Sequence, residues 1–446
     1  MPVKRHTLNM QPIDPRLTTR RSFIQNSTAA VGGFLASPAI LGTRTNAASP
    51  GDTIKVGLIG CGGRGSGAAG DALSADKNIV ISAVGDLDGK AARNTLKNLK
   101  ESKEYSERVQ ANDTKVFDGL DAYKGVLESG CDVVILATPP AFRPMHMAAA
   151  VAAGKHMFVE KPVSTDAPGT RSILESTAKA KKKGLGVLSG FCWRYSLPEQ
   201  ALFGKILDGG IGKVQSIYAT YNTGLVGRVN PREGASPIEQ QIRSWYFYKW
   251  LSGDFIVEQA IHAVDWMCWA MGDVVPLKAI GHGGRQTRPK EQGDIFDHFS
   301  ITYEYASGAR GFLFCRQQPN CANDNSATIY GTKGTAYETG FSPKHHIKDH
   351  NGEIAWKYSG PKKNMYVNEH DQFYQSLRAG KPLNNGERMA NSTMVGIMGR
   401  MAAYTGQEIT WEMAMNSQEQ LVPSPLTLDT PAPEVKVPMP GQTKFI

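Results

Sequence analysis

Beyond its first 50 residues, the 446-residue chain has no run of about 18 apolar residues, so no membrane span is expected. Paired cysteine spacings are missing too. The six cysteines stand at positions 61, 131, 192, 268, 315 and 321, and no metal site is expected from them. Most of the six suit small apolar packing, although Cys315 and Cys321 are close enough in sequence to bridge in an oxidising compartment. There is no internal repeat and no basic block interleaved with aromatics. The net charge of +9 is concentrated early: Lys4, Arg5, Arg16, Arg20, Arg21 and Arg44 stand against Asp14 in the first 48 residues. Nucleic acid is therefore not expected as a partner. What remains is 41% hydrophobic and 20% charged, ordinary for a soluble globular protein, at a length that suggests two domains with tails.

Thr18-Thr19-Arg20-Arg21-Ser22-Phe23-Ile24 is a twin-arginine sequence, followed by a weakly apolar segment from Ala29 to Leu41 and small residues at Ala47 and Ala48. This layout predicts an export signal over residues 1–48 and a periplasmic or extracytoplasmic location.

From Thr53 the pattern becomes strand, glycine turn, helix. Ile54 to Ile59 is apolar and extended in character, and Gly60-Cys61-Gly62-Gly63-Arg64-Gly65 opens a helix. In this context Gly60 permits the tight turn, Gly62 lets a pyrophosphate approach the backbone, and Gly65 allows close helix packing. The helix N-terminus offers unpaired N–H groups to the anion, and Arg64 can add charge there. Asp86, 26 residues after Gly60, closes a second strand where an acid would bind ribose hydroxyls and repel a 2′-phosphate. NAD is expected rather than NADP. Val133 to Ala137 suits a strand buried on both faces, and Thr138-Pro139-Pro140 ends it where Thr138 and Pro139 would lie along the dinucleotide.

His156 to Val159 is another apolar strand, running out into Glu160-Lys161-Pro162. Proline favours extended geometry at Lys161, at the strand end where such sheets bind ligands. Lys161 is then either a rim charge or a group aimed into a cleft. Gly186 to Phe191 is the last strand of this pattern. From Val214 onward, alternating runs such as Ser216–Tyr221 and Phe299–Tyr305, punctuated by turns, predict an α+β domain with a largely antiparallel sheet. The expected divisions are 1–48, 49–190, 191–420 and a proline-rich extended tail at 421–446.

Gly253 to Trp269 reads as a helix that is apolar nearly all round. Glu258, His262, Asp265 and Trp269 recur at i, i+4, i+7 and i+11, within roughly 60° on one face. Titratable groups on a buried helix need partners, and an imidazole beside a carboxylate is a natural proton carrier.

These motifs resemble the glucose–fructose oxidoreductase, inositol dehydrogenase and rhizopine-catabolism family. The resemblance rests on the glycine turn, Ala137-Thr138-Pro139-Pro140, Ala153-Gly154-Lys155-His156, Glu160-Lys161-Pro162 and the Glu258–Asp265 stretch. It implies a Rossmann domain, then an α+β domain whose open sheet supports a homo-oligomer, dimer or tetramer. It further implies NAD, held tightly in exported members, and hydride exchange with a sugar or cyclitol. Lys161 and His262 take the catalytic positions, with Glu258 orienting His262, and Glu160 faces the cofactor. Glu258 stands where the family commonly has aspartate. Arg194, Tyr195 and Asp265 are the candidate substrate contacts. Trp193, Trp245, Tyr246 and Tyr248 suit either sugar stacking or core packing. The same residues would serve a redox-neutral glycosidase or lyase using bound NAD, and a non-catalytic periplasmic sugar-binding protein is the remaining alternative.

Overall fold

The structure is a computed structural model and describes residues 51–340 and 344–446. The twin-arginine sequence and the export expectation built on it lie outside the described residues.

The first sheet is made of β1 (Ile54–Ile59), β2 (Ile79–Asp86), β3 (Val116–Asp118), β4 (Val133–Leu136), β5 (His156–Val159) and β6 (Val187–Ser189). Its order is β3-β2-β1-β4-β5-β6, and every pair is parallel. Helices Gly63–Ala75, Gly89–Glu101, Ala122–Glu128, Arg143–Ala152 and Ala167–Lys182 supply most of the crossovers. All four side chains of β4 are fully buried, as an apolar run between two helical layers requires. Each contributes about 1.5–3 kcal/mol by leaving water. The strand order reverses between β1 and β4, which puts the ligand crevice at their carboxyl ends.

The glycine turn at that crevice is sterically specified. Gly60 has φ +97°, and a Cβ there would lie 2.6 Å from the Ala137 carbonyl carbon. A Cβ on Gly65 would lie 1.8 Å from the Gly60 carbonyl oxygen. Around Gly62 a Cβ would meet nothing within 4 Å, so its backbone faces open space.

The second sheet runs β14-β13-β12-β11-β7-β10-β9-β8-β15. Its strands are β7 (Val214–Thr223), β8 (Lys278–Gly284), β9 (His298–Glu304), β10 (Arg310–Gln317), β11 (Asp324–Gly331), β12 (Thr335–Glu338), β13 (His346–Lys348), β14 (Ile354–Lys357) and β15 (Ile409–Thr410). Only β7 and β10 pair in parallel. Alternation along these strands gives the sheet two unlike faces. Ile217, Ala219, Ile301, Tyr303 and Leu313 are buried, with helices Ile261–Ala270 and Gly386–Thr405 packed on the sheet. Tyr218, Ile280, Phe314 and Tyr330 remain exposed. The fold class is thus the expected one, a parallel α/β domain followed by a domain with a mixed, mostly antiparallel sheet.

Three features depart from the sequence pattern. Gly253–Trp269 is not one helix: it forms Phe255–Glu258 and Ile261–Ala270. The Ala260 N–H donates to the Phe255 carbonyl, five residues back, beside the regular bond from Gln259. The extra residue in that turn rotates the Ile261–Ala270 helix by roughly 100°, out of register with Glu258. Second, helix Met365–Arg378 returns to the first sheet, where Phe373, Tyr374 and Leu377 join its core. His370 of the same helix stacks on Phe158 of β5 at 4.0 Å between ring centroids. Third, the proline-rich residues from Leu421 on lie against the body. The Leu421 N–H donates to Asp166 and the Gly441 N–H to the Thr405 carbonyl. No described helix is long and apolar enough to cross a membrane. All six cysteines carry free thiols, five buried and Cys321 exposed.

The glycine geometry sets an expected outcome. Gly65→Ala forces backbone apart and costs about 1–3 kcal/mol in denaturant unfolding. Gly62→Ala meets no atom and, by restricting the unfolded chain, leaves stability unchanged or raised by up to about 1 kcal/mol.

Candidate active site

Two cavities meet at the carboxyl ends of the first sheet. One, of about 320 Å³, runs from the glycine turn past Asp86 to Thr138 and Pro139. The other, of about 860 Å³, is lined by Glu160, Lys161, Glu258 and His262. Arg64, Thr138, Arg243 and Trp245 border both, so the two form one continuous cleft.

In the narrow arm, Gly60, Gly62 and Gly65 line the wall and the Gly63–Ala75 helix starts at the cavity. Asp86 is fixed at the end of β2 by the Cys61 N–H at 2.6 Å and the Asp88 N–H at 2.9 Å. Burial holds its carboxyl above the usual aspartate value. Asp88 caps the next helix through Lys90 and pairs with Arg243 at 3.0 Å, while Arg243 also holds Glu239 at 2.8 Å. Thr138 lies 3.2 Å from Nδ1 of His146, whose pKa burial and neighbouring Arg143 push down to about 3. The open backbone at Gly62 and the anchored Asp86 fit a dinucleotide: Gly60, Gly62, Gly65, Asp86, Thr138 and Pro139 would hold it. Arg64 is committed elsewhere than the sequence suggests. It pairs with Asp71 at 2.7 Å and Glu160 at 2.8 Å, and its guanidinium lies 4.8 Å from the Tyr366 ring centroid. The phosphate-neutralising role expected of it is largely spent on those two acids.

In the wide chamber, β5 delivers Lys161 and the Phe255–Glu258 turn delivers its partner. Lys161 Nζ donates to the Glu258 backbone carbonyl at 2.5 Å and lies 3.2 Å from Glu258 Oε1. The Lys161–Pro162 bond is cis. His262 is half-buried between Tyr221, 6.1 Å away and roughly parallel, and the edge of Trp193 at 6.4 Å. Burial, with the Lys161 charge second, holds its imidazole well below the usual pKa and so neutral. Glu258 does not orient His262 as expected. The helix break turns it to Lys161, and His262 Nδ1 has no hydrogen-bond partner among the described residues.

Arg194, Tyr195 and Asp265 line neither cavity. Arg194 and Asp265 form a buried bidentate pair at 2.7 and 2.9 Å, joined by Ser392 at 2.7 Å and by Asp273 at 2.6 Å. Trp269 covers the guanidinium at 4.8 Å. Tyr195 is buried, its hydroxyl accepting from Asn385. These residues tie the Cys192–Tyr195 turn to the Ile261–Ala270 helix; they build the wall rather than face a ligand. Trp193, Trp245 and Tyr246 do line the wide chamber, whereas Tyr248 does not.

Sequence reasoning missed Arg143, which lines the chamber and donates to the Pro162 carbonyl, bracing the loop that carries Lys161. Burial pushes its pKa down to about 10. A cation in the first turn of a helix opposes the helix dipole, and that misfit was the available signal. Glu369 was also missed. Burial and the nearby Glu160 charge hold its carboxyl well above the usual range. Arg400 was a third: fully buried, it donates to the Thr165 carbonyl at 2.6 Å and the Gly253 carbonyl at 3.2 Å. It thereby grips both loops that converge on the chamber.

A doubly wound sheet, a glycine-rich turn and an anchored acid define a dinucleotide-binding fold, with a second domain supplying the opposite wall. Two family models match the chain. Residues 54–189 match the oxidoreductase family NAD-binding Rossmann fold, and residues 201–337 match the GFO/IDH/MocA C-terminal domain. Together they cover more than half of the sequence, and the chain belongs to the GFO/IDH/MocA family of oxidoreductases. Its first domain is the family's NAD-binding Rossmann fold. The chain is 30% identical to scyllo-inositol 2-dehydrogenase (NAD(+)) of Bacillus subtilis (strain 168) over 49% of its own length and 58% of that protein's. It is 25% identical to glycosyl hydrolase family 109 protein 2 of Shewanella sp. (strain ANA-3), over 52% of this chain and 56% of that one. The chain thus spans little more than half the length of these relatives. Among solved structures, aldose–aldose oxidoreductase of Caulobacter crescentus complexed with glycerol superposes with a TM-score of 0.63. That match covers 80% of this chain and 99% of the other at 16% identity, which shows a shared fold.

Because Asp265 neutralises a buried guanidinium, Asp265→Ala is expected to lose about 3–5 kcal/mol in denaturant unfolding. The surviving folded fraction should bind ligand with unchanged affinity.

Proposed function

We propose that the protein is an NAD-dependent oxidoreductase that exchanges hydride with a CH–OH or C=O group of a sugar, sugar derivative or cyclitol. One observation carries this reading: Lys161 and a neutral His262 line a chamber continuous with the glycine-turn arm. NAD, when bound, supplies the hydride acceptor or donor. His262 accepts the hydroxyl proton as general base during oxidation and returns it in the reverse direction. The Lys161 ammonium, oriented by Glu258, donates a hydrogen bond to the same oxygen as negative charge grows on it. Trp193, Trp245 and Tyr246 present aromatic surface suited to the apolar faces of a sugar ring. Asp86 supports NAD over NADP, since a cation near it, Arg243, is already held by Asp88 and Glu239.

A second reading is supported by the glycosyl hydrolase relative: transient oxidation of a sugar carbon, elimination of the glycosidic bond and re-reduction, with no net consumption of NAD. Export by the twin-arginine route is proposed from Thr18–Ile24. Self-association is proposed through the open face that carries Tyr218, Ile280, Phe314 and Tyr330.

Purified protein is expected to release NAD on denaturation, or to bind added NAD, and to turn over cyclitols or sugars with a change in NADH absorbance. Aglycone release without that change would select the second reading. His262→Ala should lower kcat by about 10²–10⁴-fold. Burial and then the Lys161 charge depress the His262 pKa; in Lys161→Met the second cause is gone, so the acid limb of the pH–rate profile moves to higher pH, and a limb that moves to lower pH argues against His262 as the base. Light scattering should find an oligomer that Phe314→Asp dissociates.

A further inference from the structure

Away from the cleft, three buried side chains converge on one point in the second domain. Glu199 stands in the first turn of helix Leu197–Leu207, Glu338 ends β12, and His345 immediately precedes β13. Their exposures are 1%, 0% and 0%, and one donor atom from each lies within 4.8 Å of the others. Glu199 Oε1 is 3.3 Å from His345 Nε2. Glu338 Oε1 accepts the Gly340 N–H at 2.5 Å, leaving Oε2 free. Among the described residues, Glu199 Oε2, Glu338 Oε2 and both His345 ring nitrogens have no hydrogen-bond partner.

Such a cluster is costly as it stands, because two carboxylates out of water, with Glu199 Oε2 and Glu338 Oε2 lacking donors, lose much of their hydration uncompensated. A proton would neutralise one acid and leave the other oxygens and the imidazole facing each other. A doubly charged cation instead neutralises both carboxylates while the imidazole stays uncharged. We propose that Glu199, Glu338 and His345 bind one divalent first-row transition-metal ion, zinc being the best match, which fastens helix Leu197–Leu207 to strands β12 and β13 of the second sheet. One imidazole and two carboxylates are the donor set of that class, whereas calcium and magnesium take oxygen alone. Donors around a tetrahedral ion with bonds of about 2.0–2.2 Å stand roughly 3.3–3.6 Å apart. The Glu199–His345 pair is already at that spacing, and a small side-chain rotation brings in Glu338. A carboxylate binding through both oxygens provides the fourth donor. None of the three lines the catalytic cleft, so the ion is structural.

The test uses the full chain, free of any polyhistidine tag. Elemental analysis of purified protein should find about one equivalent of a first-row divalent metal. Dialysis against EDTA should remove it and lower Tm by about 5 °C or more, and zinc chloride should restore both. Glu338→Gln and His345→Ala should bind less than about a tenth of an equivalent, with a Tm that ignores EDTA and zinc. A wild-type chain that takes up no zinc and melts identically with and without EDTA overturns the proposal. So does one equivalent of zinc held equally by both variants. The wild-type arm decides the matter even if a variant fails to fold.

Discussion

The contact between Lys161 and Glu258 is the constraint on which the rest of the cleft depends. One partner ends a strand of the parallel sheet, and the other closes a short helical turn of the second domain. At 14% and 15% side-chain exposure, the pair is too buried for water to compensate either charge alone, so the two domains must present them to each other. Around it, Arg400 holds the Thr165 and Gly253 carbonyls, and Arg143 holds the Pro162 carbonyl. Cations bonded to main-chain oxygens thus fix both loops before any ligand arrives. For the proposed hydride exchange this is the preorganisation that a developing alkoxide would need, since groups already in place cost nothing to reorient.

Burial separates the roles of the site's ionisable groups. It keeps His146, His262 and His370 neutral and pushes the Glu369 carboxyl upward. Lys161 keeps a carboxylate partner. A neutral imidazole beside an ammonium is a base beside a hydrogen-bond donor, the division of roles on which the proposed hydride exchange rests. Had Glu258 paired with His262 instead, Lys161 would have faced the chamber without a counter-charge.

The parallel sheet was legible because its signals are local. Continuous apolar runs, a glycine turn whose first and third members admit no Cβ, and an acid at the end of β2 each follow from short-range chemistry. Lys161 was legible for the same reason, standing where a buried strand runs out into proline. The helix stripe failed in an instructive way. Its period was read correctly for Glu258 and His262 as cleft residues, but one five-residue hydrogen bond at Ala260 broke the register. Asp265 then fell on the Arg194 network, and nothing in the spacing distinguishes a buried ion pair from a ligand contact. Arg194 and Tyr195 were misplaced because a turn beside a cleft need not face it. The Glu199–Glu338–His345 cluster had no sequence signature, since Glu199 comes from a helix more than a hundred residues before the β12 and β13 segments that supply Glu338 and His345.

The returning helix Met365–Arg378 has a consequence for how the protein is made. Phe373, Tyr374 and Leu377 belong to the core of the first sheet, and His370 covers Phe158. The core of the nucleotide-binding half is therefore incomplete when its own strands have emerged from the ribosome. It waits for a segment synthesised nearly two hundred residues later, roughly ten to forty seconds at ordinary elongation rates. Until then β5, which carries Lys161 at its end, has an uncovered apolar face. Covering of the strand that carries Lys161 is thus tied to synthesis of the second domain, and a polypeptide that stops short of Met365 lacks part of the first sheet's core.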